Sequence, residues 1–208
     1  MCGECWKLLQ PEPSAHCLCC GRFYSGFVAS HLCPACVETP PFFIRHRSAC
    51  RYRGVAKELI LLFKYQKMRV LGKDLARFLY SSLKDEEGLW WEAEALVPVP
   101  LHPHRYKQRG FNQAEYLAQE LSALSGIQLH KNCLVKRRDA LPQTSLTGES
   151  RRENLRGAFA VKDRLAFSNK VVVLVDDVFT TGSTLQECSR TLIEAGAREV
   201  RAVTLAQA

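Results

Sequence analysis

The chain has 208 residues, 47% hydrophobic and 24% charged, with a formal net charge of +8 and a pI near 9.0. Those proportions are ordinary for a globular protein and exclude a disordered or fibrous chain, and no apolar run approaches the roughly 20 residues that span a bilayer. The positive charge suits an anionic partner without choosing among phosphorylated metabolites, nucleic acid and acidic proteins.

The start, Met1-Cys2-Gly3-Glu4, shows no basic stretch followed by an apolar one, so no signal peptide is read there and a cytoplasmic protein is expected. Ten cysteines are many for such a chain, and seven of them fall in the first 36 residues. Clustered pairs in a reducing compartment point to metal rather than disulfides. Cys17-x-x-Cys20 and Cys33-x-x-Cys36 stand twelve residues apart, and four thiolates at this spacing can close a tetrahedral zinc site. Cys2-x-x-Cys5 is a third pair, so the spacing leaves open which four share a metal. Residues 1–40 are rich in Cys, Gly and Pro with little periodicity, and Thr39-Pro40-Pro41 reads as a stiff connector. The boundary between a cysteine-rich module (1–40) and a main domain (41–208) is placed there.

Beyond it, helices and strands alternate. Val55, Leu59, Leu62 and Phe63 predict a helix over about 54–66, and Leu75, Phe78, Leu79 and Leu83 a second over about 71–84. Residues 95–99 read as a short strand, the first of the main domain. It runs into a basic loop containing Arg105, Lys107 and Arg109. Ala114, Leu117, Leu121 and Leu124 predict a helix that Gly126 stops. Cys133-Leu134-Val135 reads as another strand. Residues 137–157 are polar and without period, a long loop between two strands of the sheet. Val171 to Val175 are apolar β-formers in a row, a strand buried on both faces. Ser183 to Ala195 reads as a helix with Leu185, Cys188 and Leu192 inward, and Val200 to Leu205 as the last strand. This order implies a parallel sheet flanked by helices, an α/β fold.

The chemistry concentrates where the 171–175 strand gives out. Asp176 and Asp177 follow it, then Val178-Phe179 and the turn Thr180-Thr181-Gly182-Ser183-Thr184, which opens into a helix. Ligands of open α/β sheets bind at the carboxyl ends of strands. Backbone N–H groups at a helix start, with hydroxyls around them and a glycine to permit the tight path, make a phosphate cradle. Two carboxylates beside such a cradle suit a sugar phosphate, with ribose hydroxyls donating to the acids. An ordinary capped helix would not require the acidic pair and the hydroxyl turn together. A P-loop ATPase is set aside, because no G-x-x-x-x-G-K-S/T loop lies upstream.

The strand, acidic pair and hydroxyl turn resemble the phosphoribosyl-pyrophosphate (PRPP) signature of type I phosphoribosyltransferases. Val97-Pro98-Val99-Pro100, the later R-x-x-x-R-G-F-N-Q run, Phe63-Lys64-Tyr65, Gln143-Thr144-Ser145-Leu146-Thr147 and the segment from Arg151 to Phe159 narrow this to a resemblance to the ComF family of competence and DNA-uptake proteins. The resemblance implies a type I phosphoribosyltransferase fold with a hood loop, preceded by a zinc-ribbon module. It implies PRPP and Mg²⁺ at the site, with Asp176 and Asp177 catalytic and Thr180, Thr181, Gly182, Ser183 and Thr184 on the 5′-phosphate. Arg105, Lys107, Arg109, Gln143, Arg151 and Arg152, with Asn154 beside them, would serve the pyrophosphate and hood. It favours Cys17, Cys20, Cys33 and Cys36 as structural zinc ligands over sets that include Cys2 and Cys5. Single-stranded DNA and competence-machinery proteins such as a DNA helicase or translocase are the implied partners, with no membrane insertion. The acceptor is not legible, and neither is a general base.

Overall fold

The structure, a computed structural model, describes all residues except 13, 14, 27, 67 and 139–154. A five-stranded sheet carries it, with β1 (Arg45–Arg51), β2 (Ala93–Pro98), β3 (Gln128–Leu129), β6 (Val171–Phe179) and β7 (Glu199–Gln207) in the order β1-β7-β6-β2-β3. Every neighbouring pair is parallel. The connections are helical: α3 (Gly54–Tyr65) and α4 (Leu71–Leu83) between β1 and β2, α6 (Gln113–Ser125) between β2 and β3, and α7 (Ser183–Glu194) between β6 and β7.

The central strand β6 is apolar throughout its first half because both faces are covered. Side chains alternate across a strand, and Val173 and Val175 enter one core with Leu59 and Phe63 of α3, Leu75 and Leu79 of α4, and Leu117 and Leu121 of α6. Val172 and Leu174 enter the other, with Leu185, Cys188 and Leu192 of α7. Cys17, Cys20, Cys33 and Cys36 belong to this second core as well. The cysteines, with the short helix α2 (Pro34–Glu38), thus help to cover this face of the sheet, whereas the short helix α1 (Gly3–Leu8) lies toward the first core, where Leu9 enters and the Met1 ammonium meets Asp74 of α4.

Several sequence expectations change. The first strand of the sheet is β1, not the 95–99 segment, because β1 packs beside β7 with five consecutive buried residues despite its polar make-up. His46 accounts for part of this, since its ring nitrogens meet the Cys20 carbonyl at 2.8 Å and Thr204 Oγ1 at 3.0 Å. Residues 103–109 form a helix, α5 (Pro103–Arg109), rather than a loop. His102 caps it, Pro103 takes its first position, and Gly110 ends it with φ 77°. The 133–135 strand is β4 (Leu134–Lys136), which pairs antiparallel with β5 (Phe159–Val161) in a separate ribbon. The segment from 137 to 157 therefore connects the arms of that ribbon, not two strands of the main sheet. Leu124 is 39% exposed, and Ala118 is buried on α6 in its stead.

Candidate functional site

The sheet creates the site by its order. From β2 the chain winds outward through α6 to β3, and from β6 it winds the opposite way through α7 to β7, so the crevice of the fold lies between β2 and β6. The β2–β6 ladder stops at Pro98 and Val175, where the Val99 N–H makes a last bond to the Val175 carbonyl at 2.9 Å. β6 continues to Phe179 along β7 alone, beyond the expected end at Asp176 and Asp177. Both acids therefore stand on a strand that is paired on one side and open on the other.

Asp176 is half-buried and Asp177 buried. Burial pushes the Asp176 carboxyl up to about 7, and the neighbouring Asp177 charge adds to it. A bond from the Asp177 N–H to Asp176 Oδ1 at 2.8 Å opposes the rise, as do the charges of Lys64 and Arg109. Lys64, at the end of α3, sets its ammonium 2.7 Å from Asp177 Oδ1. In the sequence Lys64 stands out only through the family likeness, with nothing that places it at the acids. The signal available was a cation in the last turn of an amphipathic helix, which usually faces solvent.

The hydroxyl turn follows directly. Gly182 adopts φ 76°, and a Cβ there would come within 2.8 Å of the Phe179 ring. Space and backbone both require glycine. Thr181 Oγ1 lies 2.9 Å from Ser183 Oγ and accepts from the Ser183 N–H at 3.4 Å, while Gly182, the cap residue of α7, brings no side chain of its own to the helix start. On the outer side of this turn a cavity of about 160 Å³ separates it from Cys20, Cys33 and Cys36.

Arg105, Lys107 and Arg109 all sit on α5. Arg109 is the one drawn to the acids. Its Nη2 reaches the Tyr65 hydroxyl at 3.4 Å, its Nη1 reaches Gln113 Oε1 at 3.1 Å, and its charge acts on Asp176. The R-G-F-N-Q run has structural duties as well. Gly110 is the left-handed cap, Phe111 enters the core, and Asn112 caps α6 while its Nδ2 donates to the Val99 carbonyl at 3.0 Å. Gln143, Arg151, Arg152 and Asn154 lie outside the described residues.

In the cysteine segment the Sγ atoms of Cys17, Cys20, Cys33 and Cys36 lie within 4.8 Å of one another, all four buried. Cys20 and Cys33 Sγ are 3.8 Å apart, which matches the roughly 3.8 Å edge of a tetrahedron with metal–sulfur bonds of about 2.3 Å. Burial pushes the Cys17 thiol up, but N–H groups of Cys33, Cys20 and Cys19 outweigh it and bring it down to about 6. Burial raises Cys36 to about 12. A soft divalent cation fits this donor set, since it would hold all four as thiolates. Cys2 and Cys5 are not part of the group. Cys2 caps α1 and Cys5 lies on it, with the Cys5 N–H donating to Cys2 Sγ at 3.5 Å.

The phosphoribosyl transferase domain matches residues 106–208, and with the parallel sheet, the open crevice and the acidic strand end it defines the class: a type I phosphoribosyltransferase fold. Over its whole length the chain is 34% identical to competence protein F of Haemophilus influenzae, covering 90% of that protein. It is 30% identical to the DNA utilization protein YhgH of Escherichia coli, over 96% of this chain and 94% of that one. Competence protein ComFC of Streptococcus pneumoniae is 27% identical over 99% and 97%. The chain belongs to the competence protein F (ComF) family.

Proposed function

We propose that this protein binds PRPP at the β2–β6 crevice and acts in the cytoplasm in the uptake and use of DNA. The observation that carries the reading is the acidic pair on the open end of β6, followed by a hydroxyl turn that opens into α7 at Gly182. Thr180 to Thr184 hold the 5′-phosphate, with helix N–H groups and hydroxyls as donors. Asp176 and Asp177 accept from the ribose hydroxyls and fix the sugar below the loop. Lys64 holds the Asp177 carboxylate in place. Arg109, Arg105 and Lys107 serve the pyrophosphate on this reading, together with Gln143, Arg151 and Arg152. Mg²⁺ bound with the pyrophosphate would neutralise the charge of the leaving group.

Transfer breaks the bond from the anomeric carbon to pyrophosphate, which leaves with the electron pair, and an acceptor nucleophile bonds to that carbon. Such chemistry passes through an oxocarbenium-like state, and exclusion of water protects it. The cysteine module over residues 1–40 binds structural zinc through Cys17, Cys20, Cys33 and Cys36. Single-stranded DNA is a second ligand on this reading. The names of the relatives and the net charge of +8 support it.

The test is thermal denaturation with PRPP and Mg²⁺. Saturation at about 100 times Kd adds about 2.7 kcal/mol to the native state, which for a chain of this size raises Tm by roughly 5–10 °C. Asp176→Asn with Asp177→Asn should abolish the shift. An unchanged shift in that double variant would place the PRPP site elsewhere.

A further inference from the structure

The cysteine group and the phosphate loop face each other across the small cavity on the loop's outer side. Cys20, Cys33 and Cys36 line one wall, and Thr181, Gly182 and Ser183 line another. Two buried rings join these walls, and the chemistry of the acids uses neither. They are His46 of β1 and Phe179, the last residue of β6. The rings stack with centroids 4.2 Å apart and planes 18° from parallel.

His46 is held from the cysteine side. Its N–H donates to the Cys19 carbonyl at 2.7 Å, and its Nδ1 donates to the Cys20 carbonyl at 2.8 Å. Nε2 meets Thr204 Oγ1 at 3.0 Å, and that hydroxyl lies 2.6 Å from Ser48 Oγ. The ring cannot turn without breaking buried bonds at both nitrogens. The turn that presents the two carbonyls begins and ends on Cys17 and Cys20, two of the four clustered thiols. A cation bound to them fixes where the carbonyls stand. Phe179 meets the loop on its other side. A Cβ on Gly182 would come 2.8 Å from its Cζ and 2.9 Å from its Cε2, so the bare glycine backbone packs on that edge. Interiors packed this closely transmit displacement rather than absorb it. A second tie runs alongside, since the Phe42 N–H donates at 3.0 Å to Gln186 Oε1 in the first turn of α7.

We propose that His46 and Phe179 are positioning residues that couple cation binding at Cys17, Cys20, Cys33 and Cys36 to the phosphate loop, so that the filled cysteine site holds the loop in its binding form. The inference rests on reading that loop as the PRPP site. Coupling between two sites is reciprocal. If the cation favours ligand at the loop, ligand at the loop favours the cation.

Zinc transfer from the zinc-loaded full chain to a pyridylazo-resorcinol dye tests this, because the readout is metal release and needs no acceptor. Saturating PRPP with Mg²⁺ should slow release by about fivefold or more. Ribose 5-phosphate, which lacks a pyrophosphate that could itself bind zinc, should slow it as well. Phe179→Leu removes the ring but keeps a buried apolar side chain. It should retain its zinc, bind PRPP severalfold more weakly, and at saturation release zinc at the same rate with and without ligand. A ring that served stability alone would lower Tm and leave the slowing in place, since PRPP would still stabilise the native state. Phe179→Met is the milder variant and should behave likewise should the leucine variant fail to fold. Slowing that persists in the folded variant would overturn the coupling. So would a parent chain whose zinc release ignores PRPP that calorimetry shows to be bound. A parent that binds no PRPP would instead overturn the reading of the loop, and the coupling with it.

Discussion

Lys64 and Asp177 meet with side chains 15% and 11% exposed, so neither charge is well solvated without the other. Removing one member of a buried pair strands its partner, at a cost of about 3 kcal/mol. Lys64→Met should therefore lower stability by about that much in denaturant titration. Adding Asp177→Asn should restore most of it, and failure to do so would mean the pair is not coupled. Asp176 behaves differently. Its carboxyl is held near 7, above its ordinary 3.8, so the native state keeps a proton that the unfolded chain has lost. Stability is then highest below pH 4 on this account and declines as pH rises toward 7. Asp176→Asn removes that decline, so the Tm of the variant relative to the parent should rise between pH 5 and pH 8. A constant difference across that range would refute the raised carboxyl.

At the scale of elements, the cysteine segment is seated rather than appended. Gly21 follows Cys20 with φ 67°, and a Cβ there would lie 2.3 Å from the His46 carbonyl oxygen of β1. A backbone atom cannot swing aside as a side chain can. Gly21→Ala should cost about 3 kcal/mol through strain and lost docking, seen as a fall in Tm of roughly 6–12 °C. A fall under 2 °C would mean that the segment does not need this approach. The same seating explains what the sequence concealed. β6 was legible because five apolar residues stop at two acids, a pattern that needs no partner to interpret. β1 was not, because His46, Arg47 and Ser48 are buried by specific bonds rather than by hydrophobicity. Arg47 alone reaches Glu86 and the Cys17 and Leu18 carbonyls. α5 looks like a loop in sequence because its seven residues carry no apolar stripe, and its ends are set by a proline and a glycine. The acids and the hydroxyl turn were legible from adjacency in the chain. Lys64 was not, because only the folded sheet brings α3 over β6.

Over the whole molecule the excess positive charge should show in any binding of single-stranded DNA. Neutralising about three phosphates would weaken binding roughly tenfold or more between about 50 and about 200 mM salt. Replacing Arg105, Lys107 and Arg109 with alanine should flatten that dependence by about two units of slope. Filter binding across a salt series measures both, and no binding at the lowest salt would leave protein contacts to explain a role in DNA uptake. The strand order has its own consequence for how the molecule comes into being. β7 lies between β1 and β6, yet it is synthesised after both, and Ser48 waits for Thr204 across 156 residues. Contacts this distant close slowly. Until they do, β1 has an open edge on the side that β7 will occupy, in a chain still emerging from the ribosome. Three arginines within seven residues make that edge a poor template for other strands. The composition that hides β1 from a hydrophobic reading is also one that discourages edge-to-edge pairing while the strand waits for β7.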